Sequence, residues 1–214
     1  KVSGIQSIAD EQLEIAYPPE PVLERFTQRF GMPDGIQAKM GSRQTLVLEG
    51  DATHSWLAKV RAGAKDTPGI REIDDQKVTD LDLQTFKETK AIIESAFVYV
   101  LVDKDNFATE GFAALSLLPD QVRRCLGAAK RLGYTAIIEI HGFADASGAS
   151  DKNQDLSQRR AAAVQKFLVG CGFEPQTFRV MGLGAEAAAG EAIPEQADRR
   201  VAFKVILGTG PAAP

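Results

Sequence analysis

The longest uninterrupted apolar run in these 214 residues is Ala96-Phe97-Val98-Tyr99-Val100-Leu101-Val102. A helix that spans a bilayer needs about 20 apolar residues, so no stretch reads as a membrane-crossing helix. Every element must therefore be a short strand or a one-sided helix that hides its apolar face against another element. Charge divides the chain in two. Residues 1–85 hold 10 basic and 14 acidic side chains and residues 86–214 hold 15 of each, so the formal net charge of −4 lies entirely in the first part. A mildly acidic balance argues against a surface built to neutralise phosphates, and no nucleic-acid partner is expected. Two cysteines, Cys125 and Cys171, exclude a disulfide-dense scaffold and a cysteine zinc site. The chain starts at Lys1 rather than Met, so a processed chain or a piece of a larger one is expected, with any signal or anchor out of view.

In the first part, Pro18, Pro19 and Pro21 precede a helical stripe of Val22, Leu23, Phe26 and Phe30, closed by Gly31. Ile36, Ala38 and Met40 alternate with Gln37 and Lys39, which predicts a half-buried strand. Gly41-Ser42 reads as a turn and Gln44–Glu49 as a second strand. Trp56, Leu57, Val60 and Ala64 form a helical face ended by Pro68-Gly69, and Ile70–Val78 reads as a third strand. The order is α-β-β-α-β. The acidic stretch Asp74 to Asp82 reads as the end of this unit and the start of a connector. A short repeat, Gly4-Ile5-Gln6-Ser7-Ile8-Ala9-Asp10 against Gly69-Ile70-Arg71-Glu72-Ile73-Asp74-Asp75, suggests that residues 1–16 are the last strand of a preceding copy.

The second part begins with Ala96–Val102 as a strand. Asp103–Leu118 reads as a long connection that reshapes the rim of any site beyond it. Pro119, Val122, Leu126, Ala129 and Leu132 lie at helical spacing, with Pro119 suited to a first turn and Gly133 to a stop. Ala136, Ile138 and Ile140 alternate up to Gly142, and a loop of small residues, Phe143–Gln154, follows. A helical stripe of Ala161, Val164, Leu168 and Cys171 ends at Gly172. Phe178–Met181 and Arg200–Leu207 read as strands. The order is β-α-β-α-β-β, two helices over one mixed sheet, and the whole chain is of α+β class. The expected boundaries are 1–16, 17–84, 85–207 and a disordered tail at 208–214.

Chemistry concentrates in the loop and the helix after it. Arg160 lies four residues before Val164, which places it at the N-terminal end of the buried stripe. A guanidinium beside free helical N–H groups makes an anion pocket. Asp145 stands just past the strand end, a position from which it can face the same spot from the other side. A carboxylate and a guanidinium so placed can hold the ammonium and carboxylate ends of an amino acid. They can equally form a structural ion pair that pins the loop to the helix.

Two resemblances carry these readings further. Gly35–Leu81, with Leu46-Val47-Leu48-Glu49-Gly50 and Pro68-Gly69-Ile70, resembles a BON domain, which shares the α-β-β-α-β order; with the helix before it, the resemblance covers about 65 residues within 17–84. That resemblance implies an envelope-associated binding or assembly module with phospholipid or envelope-protein partners. Gly142-Phe143-Ala144-Asp145-Ala146-Ser147-Gly148, Asn153, Leu156-Ser157-Gln158-Arg159-Arg160-Ala161 and Asp198-Arg199-Arg200-Val201 resemble the OmpA C-terminal domain at matching spacing. It implies a periplasmic, non-catalytic module that binds the diaminopimelate of peptidoglycan stem peptides and anchors an envelope assembly to the cell wall. Its gripping residues fall on Asp145 and Arg160, a loop-shaping or ligand-contacting role falls on Asn153, and Ala144 and Arg199 join the ligand-contacting set. The chain departs from that pattern at Phe143, Ala144 and Asp198, where His or Tyr, Thr and Asn are usual. A lost hydroxyl contact costs about 0.5–1.5 kcal/mol. The alternative reading is therefore an assembly module with a vestigial pocket.

Other features are read as structural. His54 and His141 lack metal-ligand company and are packing or surface residues. Gly182-Leu183-Gly184 does not open a helix after a strand, so it is no nucleotide loop. Ser147 and Ser150 have no histidine base, and no catalytic carboxylate pair or metal triad appears, so neither an enzyme nor a cofactor is expected. Cys125 and Cys171 lie on helices over the same sheet face. A disulfide and two thiols are both compatible with that placement, and thiols are the expectation.

Overall fold

In the computed structural model, which describes residues 18–99, 109–144, 149–185 and 200–208, proline chemistry opens the first helix. Helix α1 (Pro19–Phe30) starts with proline where the missing N–H has no helical acceptor anyway. It turns Val22 and Phe26 inward and ends at Gly31, whose φ of 68° suits glycine. Strand β1 (Ile36–Met40) pairs antiparallel with β2 (Thr45–Ala52), and β3 (Glu72–Asp80) lies parallel to β2. A parallel pair needs a crossover, supplied by α2 (His54–Gly63), where the Thr53 hydroxyl accepts the Trp56 N–H. Val22, Phe26, Leu46, Leu48, Leu57 and Val60 make the core. The expected α-β-β-α-β order is observed. The third strand begins two residues later than expected, because Thr67–Ile70 closes a turn through the Ile70 N–H to Thr67 carbonyl bond. Ser42–Gln44 is a tight turn in which Arg43 and Gln44 adopt φ values of 54° and 58°.

The chain separates into two compact units, Lys1–Leu81 and Asp82–Pro214. The expected connector after Asp74 is instead the rest of β3 followed directly by a helix, α3 (Leu81–Ser95). Phe86 and Ile93 bury its inner face. After β4 (Phe97–Tyr99) comes α4 (Thr109–Arg131), longer than expected, with Pro119 inside it rather than in its first turn. An interior proline costs a helix about 3 kcal/mol. Here the buried stripe Leu115, Leu118, Val122, Cys125 and Ala129 continues on both sides of it and offsets that cost. Part of the expected Asp103–Leu118 connection is thus helix.

Strand β5 (Thr135–Gly142), helix α5 (Ser150–Gly170), β6 (Phe178–Gly182) and β7 (Arg200–Gly208) complete the second unit. The sheet order is β4-β7-β5-β6, antiparallel except for β5 with β6, so the sheet is mixed as expected. Ile138, Ile140, Val201, Phe203 and Val205 pack against Val122, Cys125, Val164 and Leu168 of the helices. Among the described residues β4 pairs with β7 over Arg200–Ala202, and none of them places a strand beside the backbone of Val205 on that edge. Helix α3 fills the gap: Val205 N–H donates to the Glu94 carboxylate at 3.0 Å, and Glu94 also accepts from Lys90. Both cysteines are free thiols, Cys125 buried and Cys171 half-buried. Residues 1–16, read as a preceding strand, lie outside the described residues, as do positions 209–214 of the expected tail.

Candidate functional site

The inward stripe of α5 changes character along its length. Val164 and Leu168 are apolar core, while Asn153, Ser157 and Arg160 occupy the same stripe toward the N-terminus and are also buried. Spacings of three and four residues keep all of them on one face. The polar portion passes the ends of β5 and β6, where Gly142 and Gly182 sit side by side in register. A Cβ on Gly142 would lie 2.0 Å from the Ser157 carbonyl oxygen, and one on Gly182 would lie 2.6 Å from the Gln158 nitrogen. Glycine at both positions is what lets the helix backbone touch the strand ends.

Hydrogen bonds lock that contact. The Ser157 hydroxyl donates to the Gln154 carbonyl at 2.8 Å and accepts the Gly184 N–H at 3.0 Å. The Gln154 amide donates to the Gly182 carbonyl, and the Gly182 N–H donates to the Gln158 side chain, each at 2.6 Å. Ala144 N–H donates to the Gly184 carbonyl, which ties the strand exit to the opposite turn. The glycines read as an unsuccessful nucleotide loop are thus a clamp between helix and sheet. Ser157, Gln154 and Gln158 were not singled out from sequence. Sequence carries no direct signal for them, because Gly142 and Gly182 meet only through the β5–β6 register.

Arg160 is only 2% exposed, and its Nη1 donates to the Phe143 carbonyl at 2.9 Å. A guanidinium carries five donors in a planar fork that matches a carboxylate, and burial strengthens its electrostatic interactions. Its position corrects the sequence expectation. The helix begins at Ser150, so Arg160 lies nearly three turns inside it, remote from the open N–H groups of the first turn. The expected Phe143–Gln154 loop is correspondingly shorter. Any attraction that Arg160 exerts on an anion therefore comes from its own charge rather than from the helix end. Asn153 sits in the first turn of α5, inward-facing and buried, and Ala144 is fully buried beside the strand end. Of the expected site residues, Arg160 bonds the peptide that joins Phe143 to Ala144, and Asn153 lies about two turns earlier on the same inward stripe of α5, while Asp145 and Arg199 lie outside the described residues.

The sheet below the strand end carries a second polar group. Glu139 is buried, yet accepts from Arg179 at 2.9 Å and pairs with His141 Nε2 at 3.2 Å. Burial opposes its ionisation, but the His141 and Arg179 hydrogen bonds outweigh it and hold the carboxyl below its ordinary range. His54 similarly meets Asp80 at 2.7 Å. Both histidines thus have acidic partners that spacing alone did not show. Among the described residues, no group of three metal-ligating side chains occurs, and no helix is long and apolar enough to cross a membrane.

Residues 121–201 match the model of the OmpA family, so the second unit contains an OmpA-like domain. No match was found among curated protein sequences. Among solved structures, the chain is similar to the peptidoglycan-associated lipoprotein from Burkholderia pseudomallei, at 22% identity and a TM-score of 0.45 over 57% of this chain and 99% of that one. It is similar to a putative MotB-like protein from Desulfovibrio vulgaris, at 21% identity and a TM-score of 0.40 over 61% and 93% of the two chains. A third is the OmpA-like domain of FopA1 from Francisella tularensis, at 17% identity and a TM-score of 0.42 over 55% and 74%.

Proposed function

We propose that the second unit binds peptidoglycan without cleaving it and so ties an envelope assembly to the cell wall in the periplasm. The observation that carries this reading is Arg160, a guanidinium buried in the inward stripe of α5 and oriented at a strand end by the Phe143 carbonyl. The OmpA-family match over 121–201 supports it. In this reading Arg160 takes the carboxylate of diaminopimelate and Asp145 its ammonium, with Asn153, Ala144 and Arg199 around them. A charged, forked contact adds about 1.5–3 kcal/mol. The first unit, on its BON-like resemblance, supplies contacts to phospholipid or envelope proteins.

Titration with a diaminopimelate-containing muropeptide tests the site. Arg160 is too buried for charge reversal to leave the fold intact, so Arg160→Lys and Asp145→Asn are the appropriate variants. Affinity should fall about 10- to 100-fold in each, with thermal stability close to wild type. The full burial of Ala144 where a hydroxyl is usual favours a second reading, an assembly module with a vestigial pocket. Absence of muropeptide binding by the folded wild type selects it.

A further inference from the structure

Phe143 is held from three directions. Its N–H donates to the Arg200 carbonyl at 3.0 Å and its carbonyl accepts from Arg160 at 2.9 Å. Its ring lies under the Arg200 guanidinium, 5.1 Å from centroid to Cζ. The same guanidinium stands 5.0 Å from the ring centroid of Phe97 on the edge strand β4. Both distances fall within the range where a cation is attracted to a ring face. The Arg200 Nε is buried and has no hydrogen-bond partner among the described residues. A buried N–H without an acceptor is costly, and the two ring faces are what offset it here.

We propose that Arg200 is a positioning residue for the ligand pocket. Through its contacts to Phe97 and Phe143 it fixes the Phe143 peptide, and that peptide fixes the Arg160 guanidinium. Phe97, about 40% exposed on the sheet edge, thereby sets the affinity of a pocket it does not touch. Phe143 is then no mere loss of a ligand-side polar group but the link between the edge strand and Arg160. This inference rests on the muropeptide-binding reading for its affinity effect, while its structural core concerns Arg160 alone.

The test uses the full chain with Phe97→Leu, Phe97→Tyr and Arg200→Met. Muropeptide titration is combined with thermal melts and the side-chain Nε–Hε nuclear magnetic resonance signals of Arg160 and Arg200. Removing one cation–ring contact in Phe97→Leu should weaken binding about 2- to 5-fold, Arg200→Met, which removes both contacts, should weaken it at least as much, and Phe97→Tyr should keep wild-type affinity. The Arg160 signal should move in the two weakened variants and stay in place in Phe97→Tyr, at a temperature where all the variants are fully folded. A purely structural role would track melting temperature and leave the Arg160 signal unmoved. Unchanged affinity and an unmoved Arg160 signal in Phe97→Leu overturn the inference. If wild type binds no muropeptide, the functional reading falls, and the Arg160 signal alone then decides the positioning claim.

Discussion

Replacing Gly142 with alanine isolates the contact on which the site depends. Gly142 does not have the left-handed φ that would by itself demand glycine, so the effect of the new methyl is steric. Its Cβ would lie 2.0 Å from the Ser157 carbonyl oxygen, 2.9 Å from the attached carbon and 3.2 Å from the Ala161 Cβ. A relaxed carbon–oxygen contact is about 3.3 Å, so α5 must withdraw by more than an ångström. That withdrawal breaks the Ser157 to Gly184 bond and the Arg160 to Phe143 bond. Overpacking costs about 1–3 kcal/mol and two lost hydrogen bonds about 1 kcal/mol each, so Gly142→Ala should destabilise the second unit by roughly 3–5 kcal/mol. Urea unfolding followed by circular dichroism measures this, with Gly170→Ala as the control because nothing lies within 4 Å of that position. The control should lose nothing. A Gly142→Ala protein within about 0.5 kcal/mol of wild type, the ordinary range for surface changes, would refute the close helix–sheet approach.

Three further outcomes are expected. Glu94→Ala orphans the Val205 N–H and should cost about 1–3 kcal/mol in urea unfolding, while Glu94→Gln, which still accepts a hydrogen bond, should cost less. Burial opposes ionisation of both Glu94 and Glu139, but Lys90 and the Val205 N–H at the first, and His141 and Arg179 at the second, lower their pKa values below the ordinary 4.5. Their stabilisation is therefore complete above pH 4.5 and is lost as pH falls through the lowered values, so an acid titration of unfolding free energy should flatten in Glu139→Gln. Burial pushes the Cys125 thiol up, against a smaller opposing influence of the neighbouring Thr89 hydroxyl, so a thiol reagent should label Cys171 in the native chain and Cys125 only after unfolding. Finding no free thiol in the denatured, unreduced chain would contradict the two-thiol arrangement.

Legibility from sequence followed the cleanness of each apolar pattern. Strand β5 could be read because Ala136, Ile138 and Ile140 alternate up to Gly142, and the inner stripe of α5 because Ala161, Val164 and Leu168 keep one helical face. Helix α3 could not. Its buried positions Phe86, Thr89 and Ile93 include a threonine, whereas Leu81, Leu83 and Ile92 are apolar and exposed, which blurs the stripe. Pro119 drew the start of α4 toward itself by its usual preference for a first turn, and tertiary burial on both sides overrode that preference. Arg160 was recognised, but its place in the helix was not, because Ala149 at the N-cap offers no capping side chain to mark the start. The glycine clamp was illegible for a different reason. Gly142 and Gly182 are distant in sequence and become neighbours only through the β5–β6 register.

The most direct test of the central claim is co-sedimentation of the full chain with purified diaminopimelate-type sacculi, comparing wild type with Asp145→Ala and Arg160→Lys. All three proteins are first shown to be folded by circular dichroism. The expected result is that wild type pellets with the sacculi and both variants stay in the supernatant. Wild type remaining in the supernatant, or both variants pelleting as completely as wild type, would contradict a peptidoglycan site built on Arg160 and Asp145.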